Sequence, residues 1–551
     1  MRSKFVPSWG AENSGWLGRR PPEAHGMAAG VARGLRAAAL GAAGALGLAA
    51  AAGVGAGGLG GEGSPAGAAA RAPALLARLG RDLVAVGRIS LDYRGALQGL
   101  EPGSPEREEA KRGCHARSAA VLRDLCFANG GIYTKLGQHL GQLDYLLPEE
   151  YVQTMRGSLL HRCPESPLKD VRRTVEEDLG RPLEELFRRF EEGPVASASL
   201  AQVHEAETHD GRKVAVKVQH RGLREAAGAD IATVAVLVAG VKILFPNFDY
   251  GWLVNEIRRN LPKELDFSVE ADNAERCREN MAGSPLRDRV EIPAIHRELS
   301  GPRVLTMDFA EGVPVGDRAA IEGAGLRPSE VARLVASTFS EMIFKHGFVH
   351  CDPHEANMLV RSVGGRPRLV LLDHGLYREI DDAFRLEYAA LWRSLIFADE
   401  IGIKKHSESM NAGDLYPLFA AMLTMRPWDS IVESKHGAGG IDRLRLDGTV
   451  QEKQSLQAYA MEYFQGISTL LGRIPSEMLL LLKTNDCLRA VDASLGAPVN
   501  TFVITARQCS RVLDSERGPK LPWGASALAR LFQKLNLEIR LLTLQVCALL
   551  Y

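Results

Sequence analysis

Apolar residues recur at three- and four-residue steps from Ala119 to Leu160, and Pro148 interrupts the run. That spacing predicts two helices with a break between them. A charged stretch of mixed sign, Glu101–Arg112, precedes them and reads as a linker. Val171–Leu179 and Leu183–Phe190 repeat the helical period over shorter lengths. After Gly193 the period changes: Ser199–Ala206, the turn Thr208-His209-Asp210-Gly211-Arg212 and Lys213–Gln219 read as a β-hairpin. Ile231–Phe245 is an apolar helix too short to span a membrane, and is expected to be buried. Val254–Asn280 is expected as one long helix with a polar face, and Val304–Phe309 and Leu369–Leu372 as short buried strands. From Asp381 onward the chain reads as mostly helical. The sum is an α+β chain, a small mixed lobe followed by a large helical one.

The first eighty residues depart from this pattern. No acidic residue lies between His25 and Gly61, Met27 opens the stretch, and Arg33 and Arg36 sit among alanines and glycines. Basic, acid-poor and Ala-rich is the composition of a mitochondrial transit peptide, although Ser is scarce. Ala37–Gly61 is uncharged and long enough to cross a bilayer. Its apolarity comes from Ala and Gly, so insertion is weakly favourable at best, and a low-complexity tail is the alternative.

Lys+Arg and Asp+Glu balance at 67 each, so no overall field draws a polyanion, which argues against nucleic acid as a partner. The eight cysteines show neither metal-ligand spacing nor a disulfide framework and are expected as reduced, mostly buried thiols.

The chemistry concentrates in His350-Cys351-Asp352-Pro353-His354-Glu355-Ala356-Asn357. Asp352 and Asn357 stand five apart, the spacing of the kinase catalytic loop H-R-D-x-x-x-x-N. Sixteen residues after Asn357, an apolar strand ends in Asp373-His374-Gly375. Asn357 and Asp373 can both offer oxygen to a hard cation such as Mg²⁺ bridging the phosphates of ATP or ADP. Asp352 would act near the γ-phosphate as base or water-positioning group. Upstream, Val214-Ala215-Val216-Lys217 closes a strand with a lysine, and Ala196-Ser197-Ala198-Ser199-Leu200-Ala201-Gln202-Val203 ends fourteen residues before it. Set against the kinase loop G-x-G-x-x-G-x-V, alanine holds each glycine position. A methyl group there limits how closely backbone N–H groups approach phosphate. Lys217 requires a carboxylate partner, and Glu264 and Glu270 are the candidates. Six residues is not a whole number of helical turns, so one can meet Lys217 and the other a second cation, the alternative for each being a solvated acidic face. Adenine is expected to bond backbone at the hinge Thr306-Met307-Asp308-Phe309-Ala310-Glu311-Gly312.

Lys135-Leu136-Gly137-Gln138, the alanine loop, Val-Ala-Val-Lys, Glu264-Leu265-Asp266 and His350–Asn357 together resemble the UbiB/aarF-domain (ADCK) atypical kinases in order and spacing. The resemblance is sharp from about Asn129 to Tyr377 and weaker to about Asp492. Leu146–Tyr151 and Gly413–Phe419 are similar to the mitochondrial aarF-domain-containing kinase one subgroup. It implies a two-lobed kinase-like fold and a helix bearing Lys135 and Gln138 that covers the active site and blocks the place of a peptide. Glu264 and Asp266 would be that helix's docking partner, and Glu270 the partner of Lys217. It further implies ATPase activity more than protein-kinase activity, in mitochondrial lipid, membrane or coenzyme Q homeostasis, with a lipid or quinone-like small molecule and a mitochondrial membrane or membrane protein as partners. Glu355-Ala356 departs from the family's Pro-Gly, adding a carboxylate beside the metal site and removing a turn glycine.

Only a few residues separate Gly375 from the helix expected to start at Asp381-Asp382, and no Ala-Pro-Glu follows. The activation segment that presents peptide to a protein kinase is missing. Two readings stand: an ATPase or phosphotransferase acting on a small or lipid-like acceptor, and a pseudokinase scaffold shaped by nucleotide. The expected organisation is a targeting segment (1–80), a helical extension (81–183), a small lobe (184–311), a helical lobe (312–505) and a C-terminal tail (506–551). The stretch Leu528–Tyr551 would dock on the helical lobe or touch a membrane surface.

Overall fold

The computed structural model describes residues 65–516 apart from 102, 142–146, 160–164, 245–250, 427 and 434–463, together with 535, 537–539, 541 and 542. The expected transit-peptide and membrane-span stretch up to Gly61, and most of the Leu528–Tyr551 tail, lie outside them. Among the described residues no helix is long and apolar enough to cross a membrane.

Among the described residues the first four helices are α1 (Pro65–Leu97), α2 (Pro105–Asn129), α3 (Ile132–Leu140) and α4 (Glu149–Leu159). The charged stretch expected as a linker is largely the first turns of α2. Ser104 Oγ accepts from Arg107 N at 3.2 Å, Pro105 follows the cap, and Glu106 and Glu108 meet the positive helix end. The break at Pro148 is joined by a second at Gly130-Gly131, both with positive φ (64° and 52°), so three helices fill the span expected to hold two. α5 (Leu168–Leu179) and α6 (Leu183–Leu186) follow, and Phe190 belongs to a strand rather than to the second of them.

The small lobe carries β1 (Arg189–Phe190), β2 (Ala196–Ser197), β3 (Ala201–Glu207), β4 (Lys213–Gln219), α7 (Leu223–Leu244), α8 (Gly251–Glu264), α9 (Phe267–Ala282) and β6 (Val304–Asp308), while β5 (Val290–Glu291), between the last two in sequence, joins a sheet of the large lobe. Its antiparallel sheet runs β1-β3-β4-β6, with β2 on β3. Val214, Val216 and Val218 of β4 pack with Val171 and Val175 of α5. Strand alternation therefore puts Ala215 and Lys217 on the other face, toward α9. Two expectations are corrected here. The long helix Val254–Asn280 is two helices, because Pro262 lies near the end of α8 and the Asp266 carboxylate caps α9 by accepting from Ser268 N at 3.1 Å. The apolar helix expected to be buried is only part-covered: beyond Ile231, the described side chains of α7 are intermediate or exposed, and only its first half packs with Ile132 and Leu261.

The large lobe contains β7 (Val313–Pro314), α10 (Arg318–Gly323), α11 (Pro328–Glu341), β8 (Phe348–His350), β9 (Met358–Val363), β10 (Arg366–Leu371), β11 (Tyr377–Glu379), α12 (Asp382–Ile396), α13 (Glu400–Ser409), α14 (Tyr416–Thr424), α15 (Trp428–Glu433), α16 (Phe464–Arg473), α17 (Ser476–Ser494) and α18 (Thr501–Glu516). One sheet runs β5-β10-β9-β7, and β11 pairs with β8. Asp381 caps α12, accepting from Phe384 N at 2.8 Å, so five residues (376–380) separate Gly375 from the cap, as the missing activation segment requires. Helices α12, α14, α17 and α18 share one buried core, and Leu541 of the tail is buried in it, with Arg507 and Glu538 paired at 2.8 Å. For the described tail residues, docking on the helical lobe is the observed outcome.

A buried polar cluster fastens α1 to this body. Asp82 accepts from Asn129 Nδ2 at 3.0 Å and from the Tyr133 hydroxyl at 2.7 Å, and Arg78 pairs with Asp230. Asp82→Ala removes the acceptor for both donors and is expected to cost about 2 kcal/mol. Urea denaturation of the full chain measures it, and a loss inside experimental error rejects this account of how α1 is held.

Candidate functional site

β4 delivers Lys217 into the cleft between the lobes. Its ammonium lies 2.7 and 2.9 Å from the two Glu270 oxygens and 2.9 Å from Asp373 Oδ2. Burial alone would favour the neutral amine, but the Asp373 and Glu270 carboxylates outweigh it and hold Lys217 above the ordinary lysine range. Burial likewise works against an ionised Asp373, and Lys217 overcomes it, keeping that carboxyl well below the usual range. Asp373 Oδ1 accepts from Gly375 N at 2.9 Å, which fixes the carboxylate at the strand exit.

The helix break at Leu265-Asp266 separates the two glutamates. Glu270 falls in the first turn of α9, while Glu264 ends α8 and lies 2.8 Å from Lys135 Nζ. Asp266 does not share the docking role implied by the resemblance: its carboxylate caps α9 and stands 3.9 Å from Arg224. Lys135 Nζ is also 4.0 Å from Asp352 Oδ2, so α3 lies across the catalytic-loop sequence. Gly137 permits this seat, because a Cβ there would meet Leu159 Cδ1 at 2.1 Å. Gln138 donates to the Leu159 carbonyl at 3.0 Å and accepts from Ser199 Oγ at 3.0 Å.

That bond reassigns one residue of the alanine loop. Ser199 is buried and engaged by the covering helix, so its hydroxyl does not face the cleft as a phosphate ligand. Ala196 and Ser197 pair with Val203 and Gln202, and Ala198 N donates to Ala201 O at 2.8 Å, closing the loop as a tight hairpin. Met307 is paired within the sheet to Ala215 and bridged to Ile295, and its side chain packs beside Phe267 and Leu305. Past the strand, Phe309 N donates to Lys213 O at 3.2 Å, so that amide is also engaged.

β8 ends at His350 and places Asp352 at the cleft floor, 6% exposed. Asn357 donates its side-chain amide to the Asp352 carbonyl at 3.0 Å, so its side-chain oxygen is the atom that could meet a cation. With the Asp373 carboxylate, this is a donor set suited to a hard divalent ion that completes its shell with phosphate oxygens. The Glu355 carboxylate lies against Gly316, where a Cβ would be 1.8 Å from Oε2, so that glycine accommodates it. Behind the floor, His350, His374 and Tyr377 stack with centroids 5.2 and 5.7 Å apart. Burial pushes His350 down to about 4 and His374 to about 3, so neither adds charge at neutral pH.

Sequence reading missed Lys483. It sits midway along α17 and lies 3.0 Å from Asp352 Oδ1, with only 7% of its side chain exposed. The available signal was a lysine following Met478-Leu479-Leu480-Leu481-Leu482, a charge in an otherwise apolar run. The six described cysteines, in contrast, are free and buried as expected.

A profile of the ABC1 atypical kinase-like domain matches residues 158–407. A putative ABC1 protein of Arabidopsis thaliana is 47% identical over 486 residues, covering 85% of this chain and 89% of that protein. AarF domain-containing protein kinase 1 of Mus musculus is 45% identical over 441 residues (79% and 82% covered), and AarF domain-containing kinase 1 of Drosophila melanogaster is 39% identical over 453 residues (81% and 85%).

Proposed function

The chain belongs to the ABC1, or AarF domain-containing, family of atypical kinase-like proteins, and from that premise we propose that it binds ATP or ADP with Mg²⁺ and turns ATP over slowly. Its acceptor is water or a small or lipid-linked molecule, and its setting is mitochondrial lipid, coenzyme Q or membrane (cristae) homeostasis. The observation that carries the reading is the convergence of Lys217, Glu270, Asp373, Asn357 and Asp352 on one cleft. Lys217, held by Glu270, would meet α- and β-phosphate oxygens, and Asp373 with Asn357 would hold the cation. Mg²⁺, when bound, neutralises charge on the phosphates. Asp352 orients the attacking hydroxyl and accepts its proton, in a site already shielded from bulk water. An acceptor other than a peptide is supported by α3 lying over the cleft and by the five-residue link from Gly375 to Asp381.

One observation favours the scaffold alternative, a nucleotide-gated pseudokinase that binds a mitochondrial protein. The alanine loop is closed on itself and tied to Gln138, so its backbone is less free to wrap phosphates than a glycine loop. The test is Mg²⁺-dependent ATP and ADP binding, phosphate release, and phosphorylation of a peptide library by the full chain. Binding with slow release and no peptide product is expected. Binding with no release under any condition would favour the scaffold, and absence of nucleotide binding sinks both readings.

A further inference from the structure

Asp352 is held from two sides. Its Oδ2 faces Lys135 of the covering helix at 4.0 Å, and its Oδ1 faces Lys483 of α17 at 3.0 Å. We propose that Lys483 is a positioning residue for phosphoryl transfer: it orients the Asp352 carboxylate, making the helical region beyond residue 400 part of the catalytic apparatus. The inference rests on the nucleotide-turnover reading above and deepens it.

Three observations carry it. Burying an ammonium is costly unless it is paired, and Lys483 is placed among the buried Met478, Leu480, Leu481 and Leu482 of a core helix. Asp352 is the carboxylate it meets, and Asp352 is the acidic residue of the catalytic-loop sequence. The placement is also braced from outside. Arg378, three residues beyond Gly375, donates to Ser476 Oγ at 2.8 Å and pairs with Glu477 at 2.5 Å, at the first turn of α17. The helix is thereby tied to the segment that follows Asp373. The contact is an ion pair rather than an aligned hydrogen bond, and an ammonium 3.0 Å from Oδ1 favours the rotamer that turns Oδ2 toward Lys135. Such fixed geometry is what an attacking hydroxyl needs.

The alternative is a counterion that only neutralises a buried aspartate. The two roles separate in a double-mutant cycle on the full chain, reading phosphate release with Mg-ATP, KM for ATP and thermal midpoint for wild type, K483M, K483R, D352N and K483M/D352N. K483M is expected to lower kcat about 100-fold with KM nearly unchanged, since Lys483 acts in the reacting state through Asp352. K483R should recover roughly a tenth of wild-type kcat or more, because its charge is kept on a wider head. K483M/D352N should be no slower than D352N, since nothing remains for Lys483 to orient. Folded K483M with wild-type kcat overturns the proposal, and so do losses that multiply in the double variant. Should K483M fail to fold, the charge-balanced double variant decides it: turnover no slower than D352N supports the proposal, and slower turnover in a folded double variant overturns it. Wild type that binds Mg-ATP but releases no phosphate overturns both this inference and the enzymatic reading. An active wild type with an indifferent Lys483 overturns this inference alone.

Discussion

Asp373→Asn is expected to lower Mg²⁺-dependent ATP turnover by about a thousandfold or more while leaving the fold intact. The argument is electrostatic. Asp373 carries the one carboxylate that joins the lysine of β4 to the cation position, and Lys217 keeps it ionised in spite of burial. Asparagine preserves the shape, and its oxygen can still accept from Gly375 N, which now bonds Oδ1 at 2.9 Å. Lys217 is not left alone in the variant, because both Glu270 oxygens remain within 2.9 Å. The structural cost should therefore be small, about 1 kcal/mol or less, whereas the charge that draws a divalent cation is gone. Phosphate release measured across a Mg²⁺ titration reads the two effects separately. The expected record is a lost rate, a weakened Mg²⁺ dependence and an unchanged thermal midpoint. Turnover within tenfold of wild type would remove Asp373 from the metal site.

How much of this was legible beforehand depended on whether a signal was local. The lysine strand, the Asp352–Asn357 pair and the short link after Gly375 are each contained in a few consecutive residues, and spacing alone placed them. Glu264 and Glu270 were legible as a pair that could divide between two cations, because residues six apart do not share a helix face. Their division is realised by a cap: Asp266 ends one helix and starts the next. Reading Val254–Asn280 as one helix missed that cap, since the apolar period continues across it. Ser199 was misplaced because its loop position matched a phosphate-binding motif while its partner, Gln138, comes from 61 residues earlier. Lys483 was marked in sequence only as a charge in an apolar run, and its role was hidden for the same reason. Nothing near it in the chain is acidic enough to explain its burial except Asp486, and its actual partner lies 131 residues before it. The half-exposed α7 shows the opposite failure. Apolar composition predicted burial, but beyond Ile231 the described side chains are only partly covered.

Lys135→Met should destabilise the covering helix by about 3 kcal/mol, because it leaves the Glu264 carboxylate buried without its cation. Glu264 has 7% of its side chain exposed and lies 2.8 Å from Lys135 Nζ, so solvent cannot take over the lost pairing. Asp352 is affected less, since Lys483 still holds its other oxygen at 3.0 Å. The loss should be local before it is global: Gln138 still bonds Ser199 and Leu159, but the segment carrying it opens more often. A cost of about 3 kcal/mol corresponds to roughly a hundredfold faster amide exchange through local opening, measurable over residues 132–140 by hydrogen exchange. Lys135→Met/Glu264→Leu removes both charges and should regain most of the stability, since a buried ion pair is often replaced by apolar groups at little cost. The double variant then asks the functional question cleanly. If Lys135 serves the nucleotide as well as the fold, the cover closes again and turnover stays low. If turnover returns with stability, Lys135 is a latch, and the chemistry belongs to Asp352, Lys217 and the cation site beneath it.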